Sequence, residues 1–138
     1  MSTPAQIARN NRARGQNGQK EIQKILLDFA GKRLEEDDIR NTSRGCGGED
    51  LLLSPKARGY YPFSIEVKRR KDLSVMRFVE QAYDHTQKYP PLVFMREDKI
   101  GAKGKDAHPT QGQWYCCLSV KELLKLLSLA WASNRSLK

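Results

Sequence analysis

The segment Phe63-Ser64-Ile65-Glu66-Val67-Lys68 alternates strictly between apolar and polar side chains. That period of two belongs to a β-strand, so Phe63, Ile65 and Val67 face one way and Ser64, Glu66 and Lys68 the other. The strand constrains everything around it. Its apolar face needs a covering layer, and its other face carries a carboxylate and an ammonium side by side. Helical periodicity supplies the cover. Ile22, Ile25, Leu26 and Phe29 predict a helix over 18–30 that ends at Gly31. Val75, Phe78, Val79, Ala82 and Tyr83 predict another over 74–88, ended by Pro90 and Pro91. A last helix opens at a Ser119/Glu122 capping box and carries Val120, Leu123, Leu124, Leu127 and Trp131.

Shorter apolar runs fill in the strands. Ile39 to Thr42 reads as a short strand, and Leu51 to Leu53 as a buried central one stopped by Pro55. Lys56 to Tyr60 reads as a basic turn, a hairpin or β-loop, leading into the alternating strand. Leu92 to Met95 and Trp114 to Leu118 add two more strands, separated by a loop over 96–112. The expected fold is α/β, a central mixed β-sheet flanked by helices. A chain of 138 residues closes one modest core. Residues 1–17, with Arg9, Arg12 and Arg14, read as a flexible basic arm, 18–132 as a single domain and 133–138 as a polar tail.

Several classes are excluded as expectations. No apolar run approaches the roughly 20 residues of a membrane span. The start, Met1 to Gln6, lacks the apolar core of a secretory signal. Cys46, Cys116 and Cys117 are odd in number and partly adjacent, which argues against a disulfide framework and for a reducing, cytoplasmic setting. Together with His85 and His108 they show no zinc-ligand spacing. The net charge of +9, from 25 basic against 16 acidic residues, points to a polyanionic partner, nucleic acid first.

The chemistry gathers at two strand ends. Asp50 opens the leucine strand and Glu66 lies near the end of the next, so an antiparallel pairing through the 54–61 turn brings them together beside Lys68. An isolated E-x-K usually marks a solvated sheet face. Here a Gly-rich loop, an acid before a leucine strand, a turn and a following basic run accompany it. Two carboxylates suit Mg2+, with Mn2+ as a substitute, and a further ligand in the Val67 carbonyl. Phosphodiester hydrolysis follows, with Lys68 orienting water or phosphate. Glu21, at the edge of the first helix stripe, is placed to complete a second metal position. Arg44, Lys56, Arg58, Arg69, Arg70 and Lys71, with the arm arginines, are the expected phosphate contacts.

Residues 48–53 followed by Ile65-Glu66-Val67-Lys68 resemble the PD-(D/E)xK nuclease superfamily. The helix bearing Glu21 and the loop bearing Ser43 make the chain similar to its archaeal and phage Holliday junction resolvases, over roughly residues 15–95. The resemblance implies a restriction-endonuclease-like core and a homodimeric, Mg2+-dependent endonuclease acting on branched DNA. It also implies a site of Glu21, Asp50, Glu66 and Lys68, with contributions from Ser43 and from Gln81 on the next helix. Glu49 stands where the family usually has proline, and Asp50 is preferred as the ligand because it enters the leucine strand directly. Two other readings stay open: a repair or restriction-like nuclease on linear, flap or forked DNA, and a non-catalytic nucleic-acid-binding or packaging protein.

Overall fold

The computed structural model describes residues 1–42, 48–70, 74–85, 88–98, 109–110 and 112–136. In chain order its elements are α1 (Pro4–Ala30), β1 (Ile39–Asn41), β2 (Leu51–Leu53), α2 (Pro55–Tyr60), β3 (Ser64–Arg70), α3 (Val75–His85), β4 (Pro91–Glu97), β5 (Tyr115–Cys117) and α4 (Val120–Ser136). Strands β3, β4 and β5 form a mixed sheet in which β3 runs parallel to β4 and β5 antiparallel to it. Strands β1 and β2 pair as an antiparallel ribbon. The fold is α/β, a small mixed sheet flanked by helices.

Both faces of β3 are covered. Ile65 and Val67, with Leu92 of β4, join Ile22, Leu26 and Ala30 of α1 in one apolar cluster. Phe78 and Ala82 of α3 join Val93 and Met95 in another. The buried ridge of α1 is Gly18, Ile22, Leu26 and Ala30, an i, i+4 row, whereas Ile25 and Phe29 of the expected stripe are exposed. A single row suffices because α1 crosses close to the sheet: a Cβ on Gly18 would lie 3.3 Å from the Arg69 Cβ and from the Trp114 ring. Two polar contacts tie down the C-terminal half of α1. Gln23 Nε2 donates to the Ile39 carbonyl at 2.6 Å, and the Tyr61 hydroxyl donates to the Leu26 carbonyl at 2.6 Å.

Three elements differ from expectation. Residues 4–17, expected as a flexible arm, form the first half of α1. Thr3 Oγ1 accepts the Gln6 N–H at 3.2 Å, the Gln6 side chain accepts the Thr3 N–H at 2.8 Å, and Pro4 takes the first helical position. This start signal operates without the apolar stripe on which the expectation relies.

Residues 56–60, expected as a hairpin turn or β-loop, lie in α2, because Ser54 caps the Ala57 N–H at 3.1 Å and Pro55 begins a helix as well as ending a strand. Strand β2 therefore takes β1 as its ladder partner, Leu53 opposite Ile39, and the expected hairpin with β3 does not form.

Helix α4 starts as expected, with Ser119 Oγ accepting the Glu122 N–H at 3.2 Å, and runs on into the stretch read as a polar tail. Its stripe is exposed, Leu124 at 55% and Trp131 at 60%. Helices α1 and α3 already occupy the two faces of the sheet, which leaves α4 none to cover. Among the described residues no helix is long and apolar enough to cross a membrane.

The close crossing at Gly18 makes two glycine substitutions diverge. A Cβ on Gly15 would meet no atom within 4 Å, so Gly15→Ala is expected to raise stability by about 0.5–1 kcal/mol through helix propensity. Gly18→Val is expected to lower it by about 1–3 kcal/mol through overpacking against Val67, Arg69 and Trp114. Urea unfolding of the two variants beside wild type measures both, and equal effects at the two positions would refute the close crossing.

Candidate active site

The site forms where β3 meets the end of the loop before β2. Carbonyl and N–H groups of alternate residues leave a strand on alternate sides. On the side that takes β4, the Ser64 N–H donates to the Pro90 carbonyl at 2.9 Å. On the other, Asp50 takes the place of a neighbouring strand. Its N–H donates to the Ile65 carbonyl at 3.1 Å, and its Oδ2 accepts the Val67 N–H at 2.8 Å. Asp50 is itself held from behind, its carbonyl accepting both the N–H and the hydroxyl of Thr42. Asp50 and Glu66 thus converge as expected, through this edge contact and without a hairpin.

Glu66 points to the α3 face of the sheet and is only 1% exposed. Lys68 Nζ lies 2.9 Å from its Oε1, and His85 Nδ1 lies 3.0 Å from its Oε2. Lys68 is also buried, its ammonium 5.4 Å from the centre of the Phe78 ring. Burial, and next the nearby charge of Glu66, push the Asp50 carboxyl up to about 6, against the pull of the Val67 N–H and of Lys68.

The other expected residues are dispersed. Arg12, Arg14, Arg69 and Arg70 line a cleft of about 590 Å³ together with Asp50 and Lys68, with Gln19 of α1 on its wall. Gln81 lies on the other side of β3, in a cleft of about 710 Å³ shared with Arg70, Arg77 and His85. Arg9 and Lys56 are exposed on α1 and α2. Arg58 donates to the buried Glu49 and to the Phe63 carbonyl, and its guanidinium stacks 4.3 Å from the Tyr89 ring centre. That pairing commits Glu49 to Arg58 and leaves Asp50 as the acid facing β3. Ser43, Arg44 and Lys71 lie outside the described residues.

Glu21 is engaged by three donors. Arg69 donates to its Oε1 at 2.7 Å, while Arg96 and the Trp114 indole donate to its Oε2 at 3.1 and 2.8 Å. Asp98 completes the network by accepting from Arg69 and Arg96 at 2.7 and 3.0 Å. His85 and Arg96 have no place in the sequence reading of the site. For His85 a signal exists. Ten helical residues on from Val75 span about 15 Å, and four strand residues back from Arg70 span about 13 Å, so an α3 returning along β3 brings His85 level with Glu66.

The donor set fits a hard divalent cation. A carboxylate offers about four lone-pair positions. Glu66 gives two to Lys68 and His85, and Asp50 gives one to Val67 among the contacts described, so both retain oxygen donors for an ion that keeps several waters. Among the described residues no group of three or more His, Cys, Asp or Glu side chains is placed to hold a metal ion. Compared with known proteins, the chain matches no family model, no curated protein and no solved structure.

The raised Asp50 value sets a direction for stability. The carboxyl titrates near 6 in the folded chain and near 3.8 unfolded, so folding binds a proton between these values. Wild type in EDTA is therefore expected to lose stability as pH rises from 4 through 6, and Asp50→Asn to remove that loss. The variant should match wild type near pH 4 and exceed it by about 1–3 kcal/mol at pH 8, read by denaturant unfolding at each pH. A variant less stable than wild type at pH 8 would contradict the assignment.

Proposed function

We propose that the chain is a Mg2+-dependent endonuclease of PD-(D/E)xK type, with a restriction-endonuclease-like core, that hydrolyses phosphodiester bonds in branched DNA as a Holliday junction resolvase. The observation that carries the reading is the convergence of Asp50 and Glu66 on β3, with Lys68 at 2.9 Å from Glu66, at a cleft whose walls carry Arg12, Arg14, Arg69 and Arg70. Asp50 and Glu66 would hold the cation, with the Val67 backbone between them. Bound there, Mg2+ supplies Lewis acidity and a more acidic water.

The chain's own residues supply the rest. Lys68, fixed by Glu66, offers a buried positive charge for the extra negative charge that develops on phosphate oxygens in the transition state. The arginines of the cleft hold flanking phosphates and fix the backbone without reading bases. Arg12 and Arg70 are the most exposed of them, whereas Arg69 also holds Glu21 and Asp98. A nucleic-acid partner accords with the net charge of +9.

Cleavage of an end-labelled four-way junction and the matching linear duplex, in Mg2+ and in EDTA, tests the reading. Wild type is expected to place paired nicks near the junction only with the metal, and Glu66→Ala or Lys68→Ala to lose at least about 10²-fold in rate while still binding DNA. Equal cutting of the linear duplex would keep the site and reassign its substrate. Folded wild type that binds DNA and cuts neither substrate, in Mg2+ or Mn2+, would favour a binding protein.

The resolvase reading includes a homodimer, and α4 supports it. Val120, Leu123, Leu124, Leu127 and Trp131 recur on one helical stripe, and all are exposed. A continuous stripe of this kind exceeds the scattered single hydrophobics normal on a monomer, and two copies of it are self-complementary. Sedimentation equilibrium is expected to give a dimer for wild type and a monomer for Leu124→Lys/Leu127→Lys; a monomeric wild type at tens of micromolar would refute this interface.

A further inference from the structure

We propose that His85 is a positioning residue that sets the plane of the Glu66 carboxylate and so the direction of its remaining lone pairs. The inference rests on the reading of Glu66 as a cation ligand. Lys68 sits two residues along the same strand and fixes one oxygen, Oε1, at 2.9 Å. One contact leaves a carboxylate free to rotate about its last bond. His85 comes from a different element and fixes the other oxygen, Oε2, at 3.0 Å. Two contacts from opposite ends of the carboxylate define its plane. An ionised carboxylate only accepts hydrogen bonds, so the proton of this contact sits on Nδ1.

The element that carries His85 is suited to the task. It is the last residue of α3, and Phe78 and Ala82 seat that helix on Val93 and Met95. Val93 is the β4 neighbour of Glu66 and Met95 the neighbour of Lys68, so α3 is anchored on the same patch of sheet that bears the acid and the base. Stability alone does not account for such an arrangement, because buried polar groups of this kind are seldom stabilising relative to apolar replacements. Orientation of a ligand by an outer hydrogen-bond partner is a recognised use of it.

The test compares Mn2+ affinity by titration calorimetry with single-turnover cleavage, on the full chain. His85→Leu removes the donor and keeps bulk, His85→Ala is measured alongside in case Leu disturbs the helix end, and His85→Asn returns an N–H near the place of Nδ1. The Leu and Ala variants are expected to lose about 10–100-fold in Mn2+ affinity and in cleavage rate, with DNA affinity unchanged, and Asn to recover to within a few-fold of wild type. Leu and Ala variants that bind Mn2+ like wild type would overturn the inference, and so would an Asn variant as impaired as they are. Wild type that binds no Mn2+, or binds it equally well as Glu66→Gln, would overturn the underlying reading of Glu66 and this inference with it.

Discussion

Strand β3 is buried on both faces, and that single constraint organises the molecule. Ser64 through Lys68 are all buried, although the segment contains a glutamate and a lysine. Removing either charge from water is costly unless the other is at hand, and here they lie 2.9 Å apart with His85 on the free oxygen of Glu66. The strand cannot slide against its neighbours without breaking this arrangement, since a shift of one residue would turn Glu66 into the apolar cluster of α1. The register with β4, Glu66 opposite Val93 and Lys68 opposite Met95, is thereby pinned by charge as well as by apolar fit.

A second set of charges lies on the α1 side of β3, beginning at Arg69 next to Lys68. Glu21 and Asp98 are shared between Arg69 and Arg96, with the Trp114 indole closing the set. These residues come from α1, β3, β4 and the segment between β4 and β5, so the network joins α1 to strands with which it shares no ladder. It sits one turn of helix past Gly18, where α1 and the sheet approach most closely. Fixing α1 there extends its N-terminal half over the open end of β3 and carries Arg12 and Arg14 to the cleft beside Asp50. Gln19 stands on the cleft wall, and Glu21, near it in sequence, accepts from Arg69, Arg96 and Trp114.

Signals confined to a few adjacent residues are legible in the sequence, and signals that depend on which segments meet are not. The alternation over 63–68 and the helical stripe of α3 are of the first kind, and both mark real elements. The meeting of Asp50 and Glu66 is legible too, yet for a reason the structure replaces: Asp50 binds the edge of β3 through Ile65 and Val67, while Ser54 and Pro55 turn the expected hairpin into a helix. The start of α1 escapes a periodicity argument because Thr3 to Gln6 carries its signal in a capping box without apolar residues behind it. The Glu21 network has no local signal, since Arg69, Arg96 and Trp114 are 48, 75 and 93 residues away. The leucines of α4 look like core because periodicity reports an apolar face and not whether a face remains to receive it.

On the proposed reading, the charge balance at β3 gives a basic protein a reason to keep two acids close together. Asp50 and Glu66 bring two negative charges once Asp50 has ionised, and Lys68 returns one positive charge, which leaves a sum of minus one. A phosphodiester, itself singly negative, would be repelled by that sum at short range even though the surrounding arginines attract it from a distance. On that reading, a divalent cation held by Asp50 and Glu66 would bring the sum to plus one, and attraction would then hold at both ranges. Burial first, and the Glu66 charge second, raise Asp50 toward 6; a bound cation would offset both, so on the proposed reading metal and substrate would favour each other's binding. Lys68 alone cannot play this part, because its one charge is already matched by Glu66 at 2.9 Å. On the proposed reading, the charge at β3 stays incomplete beneath the arginine-lined cleft until a cation binds.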